Sequence, residues 1–82
     1  MARFFFDTSI DARTLRDAEG LEYGDIARAH RDARKSLTAL VAEALGEDAH
    51  HGAHHCAITM RDSSGQVVAR FSAVLREESG RA

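Results

Sequence analysis

The chain has 82 residues, 44% hydrophobic and 29% charged, with a formal net charge of -2, one cysteine, no proline and no tryptophan. That length suits one domain and excludes two, and the composition excludes global disorder. The weak negative charge provides no long-range attraction to nucleic acid or to an anionic membrane, and the lone Cys56 excludes an internal disulfide, which predicts a reducing cytoplasmic location.

In chain order, the start Met1-Ala2-Arg3-Phe4-Phe5-Phe6-Asp7 is too short an apolar run for a signal peptide. No stretch is long and apolar enough to span a bilayer. Arg3 to Phe6 reads as a first strand that Asp7 ends, with Phe4 and Phe6 on its core face. Phe5 takes the opposite face and needs cover from a loop or a second subunit. Thr8-Ser9-Ile10-Asp11 has turn character, Ala12 to Arg16 reads as a short second strand, and Asp17-Ala18-Glu19-Gly20 as another turn with Gly20 free to take positive φ. Leu21 and Tyr23 alternate with Glu22 and are expected to pack inward.

The strongest periodic signal predicts a helix from about Asp25 to Leu45, roughly 30 Å long. Ile26, Ala29, Ala33, Leu37, Leu40, Val41 and Ala44 fall in one apolar arc, Asp25 is the expected N-cap, and Gly46 the expected stop. His30 lies within that arc and reads as a core-edge residue with its polar tip reaching out, rather than as a buried pH-sensitive group. After a polar loop over Glu47 to Ala53, Cys56, Ile58 and Met60 share one strand face. Asp62-Ser63-Ser64-Gly65 then makes a hairpin turn, and Gln66 to Leu75 returns with Val67, Ala69, Phe71 and Ala73 inward and Val68, Arg70 and Ser72 outward.

The predicted fold is α+β with the order β-β-α-β-β: a four-stranded, mainly antiparallel sheet with one long amphipathic helix packed on one face. Residues 1–75 form the single domain and 76–82 a frayed tail.

The pieces Arg3-Phe4-Phe5-Phe6-Asp7, Asp17-Ala18-Glu19-Gly20, Ala29-His30-Arg31-Asp32-Ala33 and Arg61-Asp62-Ser63-Ser64-Gly65, in that order and spacing, resemble a family of short bacterial proteins of unknown function. The resemblance runs over about residues 2 to 75 and implies fold and lineage, with no activity to transfer. The architecture is also similar to that of HicB-type antitoxins, a likeness of fold and not of function.

The segment His50-His51-Gly52-Ala53-His54-His55-Cys56 holds four of the five His and the only Cys. Imidazole and thiolate are the ligands zinc and other transition metals prefer, so His50, His51, His54, His55 and Cys56 are the candidate ligands. The competing reading is a polar loop followed by a core cysteine, and adjacent strand residues His55 and Cys56 cannot form a nucleophile–base dyad. Arg28, Arg31, Arg34 and Lys35 make one helix face basic, but no aromatic residue interleaves with them, which argues against a nucleic-acid platform. No phosphate loop, nucleophile elbow or metalloprotease motif is present, and the carboxylates are spread without an evident pair. The sequence therefore reads as a small non-enzymatic interaction module, with a second copy (a homodimer) or another protein as partner and Phe5 and Val68 as contacts. The alternatives are a metal-binding or metal-sensing protein and an antitoxin-like or nucleic-acid-associated regulator.

Overall fold

The computed structural model describes residues 1–46 and 53–76. The chain runs β1 (Ala2–Ile10), β2 (Arg13–Leu15), β3 (Leu21–Tyr23), α1 (Ile26–Gly46), β4 (Ala53–Arg61) and β5 (Val67–Arg76). The sheet is antiparallel, in the order β2-β1-β4-β5, with β3 also paired to β1. The β-β-α-β-β arrangement with one helix on one sheet face is the observed fold, and β3 is an added short strand. β2 lies opposite Thr8–Ile10 and β3 opposite Ala2–Phe4. Together they do the work of one edge strand that is interrupted at 16–20.

β1 does not stop at Asp7. It continues to Ile10, because Thr8 and Ile10 pair with Ile58 and Cys56 of β4 and Ile10 joins the core. The turn shifts to Asp11-Ala12, and Asp11 takes a left-handed φ of 53°, a conformation Asp tolerates better than most residues. The second hairpin forms where the sequence places it. Gly65 has φ +88°, and Asp62 Oδ1 accepts the Ser64 and Gln66 N–H groups at 2.9 and 3.0 Å.

Asp25 caps α1 by accepting the Ala27 N–H at 2.9 Å. The helix lies mainly over β4 and β5. Ala29, Ala33 and Ala44 are buried along it, and these small side chains let its backbone approach the sheet. One end of the core joins Phe4, Ala29 and Met60, with Phe6, Tyr23 and Ala69 against them. The other joins Ile10, Ala44 and Cys56, with Leu37, Leu40, Val41 and Leu75. Ile58 is also fully buried; burial of a side chain of this size stabilises by about 1.5–3 kcal/mol.

Three inward expectations fail at the margins of this core. Ile26 and Leu21 are 52% and 59% exposed. Ile26 is the first helical residue and Leu21 begins a three-residue edge strand, so correct periodicity leaves both at the rim. Val67 is exposed because the ladder slips between Met60 and Arg61, setting Val67 opposite Arg61 on the open face of the sheet. A bulge of this kind inverts the inward–outward alternation. The polar tip of His30 does not reach out: its ring meets Phe71 edge-on at 5.6 Å, and Nε2 is buried without a hydrogen-bond partner among the described residues. β5 extends through Arg76, one residue past the expected domain limit, and 77–82 lie outside the described residues.

Candidate functional site

The densest polar arrangement sits on the sheet face opposite the helix. Asp7 in mid-β1 and Arg61 at the end of β4 are both largely buried, with Arg61 Nε 2.7 Å from Asp7 Oδ2 and Nη2 3.0 Å from Oδ1. This is the two-pronged contact that guanidinium makes best with carboxylate. Arg61 Nη2 also donates to the Asp17 carbonyl at 3.0 Å, while the Asp17 N–H donates to Asp7 Oδ1 at 2.9 Å. The Asp17 side chain then fills the gap between β2 and β3: Oδ2 accepts the Phe6 N–H at 3.1 Å, and Oδ1 accepts those of Glu19 and Gly20. A strand backbone left unpaired between two short strands is thus satisfied by a carboxylate.

Phe5 completes this clasp. The Arg61 guanidinium lies over its ring at 5.1 Å, within cation–π range. Gly20 closes against the same ring with φ +67°, and a Cβ there would stand 2.8 Å from the Phe4 carbonyl oxygen and 2.9 Å from two Phe5 ring carbons. Arg3 ties the loop down further by donating to the Glu19 carbonyl at 2.7 Å. The outward Phe5 is therefore covered by a loop and a cation of its own chain.

Both carboxylates are held in their ionised form by their partners. The Arg61 hydrogen bonds hold the Asp7 carboxyl below its usual range. Partial burial pushes Asp17 up, but the N–H groups of Phe6, Gly20 and Glu19 more than reverse that, leaving it lowered as well. A general acid at neutral pH needs the opposite shift. The clasp is built to stay ionised and hold its shape.

The His-Cys segment divides. His50 and His51 lie outside the described residues. His54 Nδ1 is 2.9 Å from Asp11 Oδ2, and the His55 N–H donates to Asp11 Oδ1 at 3.0 Å. The His55 side chain is exposed, while Cys56 is fully buried between Ile10 and Ala44. Burial, then the charge of Asp11, pushes the Cys56 thiol up, away from the thiolate that binds metals. Among the described residues no three His, Cys, Asp or Glu side chains are grouped so as to hold a metal ion.

Of the interaction candidates, Phe5 is half-buried in the clasp, whereas Val68 is 40% exposed on the open face, near the more exposed Val67 and Val74 of the same strand. The basic helix residues Arg28, Arg31, Arg34 and Lys35 are exposed. Three of them line an open groove of about 420 Å³ shared with Glu22 and Asp32, so its charge is mixed. Tyr23 borders the groove and donates to Asp32 at 2.8 Å; burial, then this bond, pushes its hydroxyl up to about 12.

Sequence reasoning missed the Asp7–Asp17–Arg61 clasp, having judged the carboxylates dispersed, and it missed Asp11 as the partner of His54. A signal for the clasp was present, because three of the four pieces carrying the family resemblance supply it. Asp7 closes the first, Asp17 and Gly20 bound the second, and Arg61 opens the fourth. Their spacing in sequence is the spacing of one tertiary contact.

Among the described residues no helix is long and apolar enough to cross a membrane. No curated protein and no solved structure matches the chain. A family model matches residues 3–74, a span that contains every residue of the clasp and nearly all of the sheet. The chain belongs to that family, the domain of unknown function DUF6894.

Proposed function

We propose that this chain is a small non-enzymatic module that works by binding protein, with a second copy of itself as the partner. The observation that carries this reading is the β5 edge. β5 is ten residues long and stands at the end of the sheet, with no described element pairing along its outer side. Val67, Val68 and Val74 are exposed on it. Such an edge is a template for another strand unless something blunts it. The Asp7–Asp17–Arg61 cluster on the open face is consistent with this reading, since its groups are engaged with one another and held charged. Sedimentation equilibrium over a range of concentrations tests the proposal. A dimer of twice the 9.0 kDa chain mass is the expected species, and a monomer persisting at the highest concentration overturns it.

The same reading assigns the His-Cys segment no structural metal. Zinc is expected to bind weakly and without fixed stoichiometry. A chelator should leave the melting temperature unchanged, because a ligand stabilises only in proportion to its preference for the native state. Binding near one equivalent, with a raised melting temperature and loss of both effects in Cys56→Ser, would make metal handling the function instead.

A further inference from the structure

We propose that β5 pairs antiparallel with β5 of a second copy about a two-fold axis at Ser72, joining the two sheets into one. This rests on the self-association reading above and names its interface.

The ladder fixes which backbone groups are available. The Asp11 N–H donates to the His55 carbonyl, so odd-numbered β4 residues turn their backbone groups towards β1 and even-numbered ones towards β5. Cys56 stands opposite Ala73, so odd-numbered β5 residues face β4. The N–H and C=O groups of residues 68, 70, 72, 74 and 76 therefore point away from the sheet. An antiparallel partner must match even-numbered residues to even-numbered ones, which limits the two-fold centre to a few positions.

Side-chain matching then selects among them. A centre at Ala73 sets Arg70 against the partner's Arg76, and one at Arg70 sets that charge against itself; like charges directly opposite are destabilising. A centre at Phe71 would set against each other two rings already engaged by His30, and it leaves Ala69 facing the partner's Ala73 across a gap. A centre at Val74 leaves only the last few residues paired. At Ser72 the pairing runs from Val68 to Arg76 without a charge clash. On the helix side Phe71 meets the partner's Ala73, and Ala69 meets the partner's Leu75, a large side chain against a small one each time. On the open side Arg70 meets the partner's Val74, and Val68 meets the partner's Arg76, so aliphatic arginine stems cover the exposed valines. The matching is a property of β5 alone: Arg70 and Arg76 are its only charges, and their spacing avoids collision in this register.

The opposite edge lacks these features. β2 and β3 have three residues each and are separated by the 16–20 loop, with the Asp17 carboxylate occupying the Phe6 N–H between them. Short strands and an interruption are the usual protections of an edge. From Val68 to Arg76, β5 has no proline, no lysine and no bulge after its first residues. Among the described residues, one edge is short and interrupted, and the other is long and continuous.

The test uses Ser72→Cys in the full chain, oxidised at a concentration where the wild type is dimeric and read by non-reducing electrophoresis. Directly opposed residues in this register have Cα atoms about 5.5 Å apart, inside the range a disulfide spans. Most of the Ser72→Cys chain is expected as a covalent dimer. The buried Cys56 of the wild type, Ser36→Cys on the exposed helix face and Thr14→Cys in β2 should give little. Ser72→Lys, on an exposed position, should keep the circular dichroism of the fold and raise the dimer dissociation constant at least about tenfold through charge repulsion at the axis. If Thr14→Cys cross-links in place of Ser72→Cys, or if Ser72→Lys dimerises as tightly as the wild type, this interface is wrong while self-association stands. A wild type that is monomeric throughout removes both.

Discussion

Replacing Asp7 by alanine is expected to cost about 3–5 kcal/mol, the usual penalty for removing one partner of a buried ion pair. The carboxylate accepts two bonds from Arg61 and one from the Asp17 backbone, and its side chain is 13% exposed. A domain of 82 residues has roughly 4–12 kcal/mol of stability in all, so the variant should be partly or wholly unfolded at 37 °C. Urea denaturation at neutral pH measures this, and a variant within about 1 kcal/mol of the wild type would show that the clasp is not structural. Asp7→Asn keeps the shape and one acceptor and should be milder.

The same pair sets the response to acid. The folded pKa of Asp7 lies below its unfolded value, first because of the Arg61 hydrogen bonds. Asp17 and Asp62 are also lowered. In the window between folded and unfolded values the unfolded chain binds more protons, so stability rises with pH there. The contribution is therefore fully present above the unfolded carboxylate value of about 3.9 and is lost as pH falls through the folded values. Stability should be flat from neutral pH down to about 5 and then drop, and Asp7→Asn should flatten that drop.

Gly20→Ala is the second large effect. Its φ of +67° costs an ordinary side chain about 1–3 kcal/mol. The added Cβ would also press to 2.8 Å on the Phe4 carbonyl oxygen, a backbone atom held in the β1–β3 ladder, and overpacking of this kind adds about 1–3 kcal/mol more. Gly65→Ala is the matched control. Its φ is +88°, but nothing lies within 4 Å of the new atom, so only the conformational cost applies. The difference between the two melting temperatures isolates the clash, and equal losses would mean that the 16–20 loop does not seat against Phe5.

What was legible in the sequence was local. Apolar spacing located α1 to within a residue or two, Cys56, Ile58 and Met60 disclosed the buried face of β4, and Asp62 and Gly65 marked their turn through side-chain chemistry that acts over four residues. What stayed hidden depended on distant partners. Asp7 reads as a strand terminator because an unpaired carboxylate belongs in water; its partner Arg61 is 54 residues away. β3 is too short to announce itself, and Val67 changes face through a one-residue slip that no alternation pattern contains. The clasp was visible as motifs and invisible as a contact, since nothing in the order of the pieces says that β1 and β4 are neighbours. The His-Cys segment shows how little a run of ligand types fixes about placement, and its His50 and His51 lie outside the described residues. A dense run of ligand types suggests a metal site, but strand geometry sends Cys56 into the core and leaves the His55 side chain exposed, while Asp11 engages His54.

Native mass spectrometry of the untagged chain tests the central claim most directly, because it reads assembly and bound metal together. A metal-free species at twice the 9.0 kDa chain mass is the expected result. A monomer, or a species carrying a stoichiometric metal ion that survives dialysis, would contradict a module that works by pairing with its own copy.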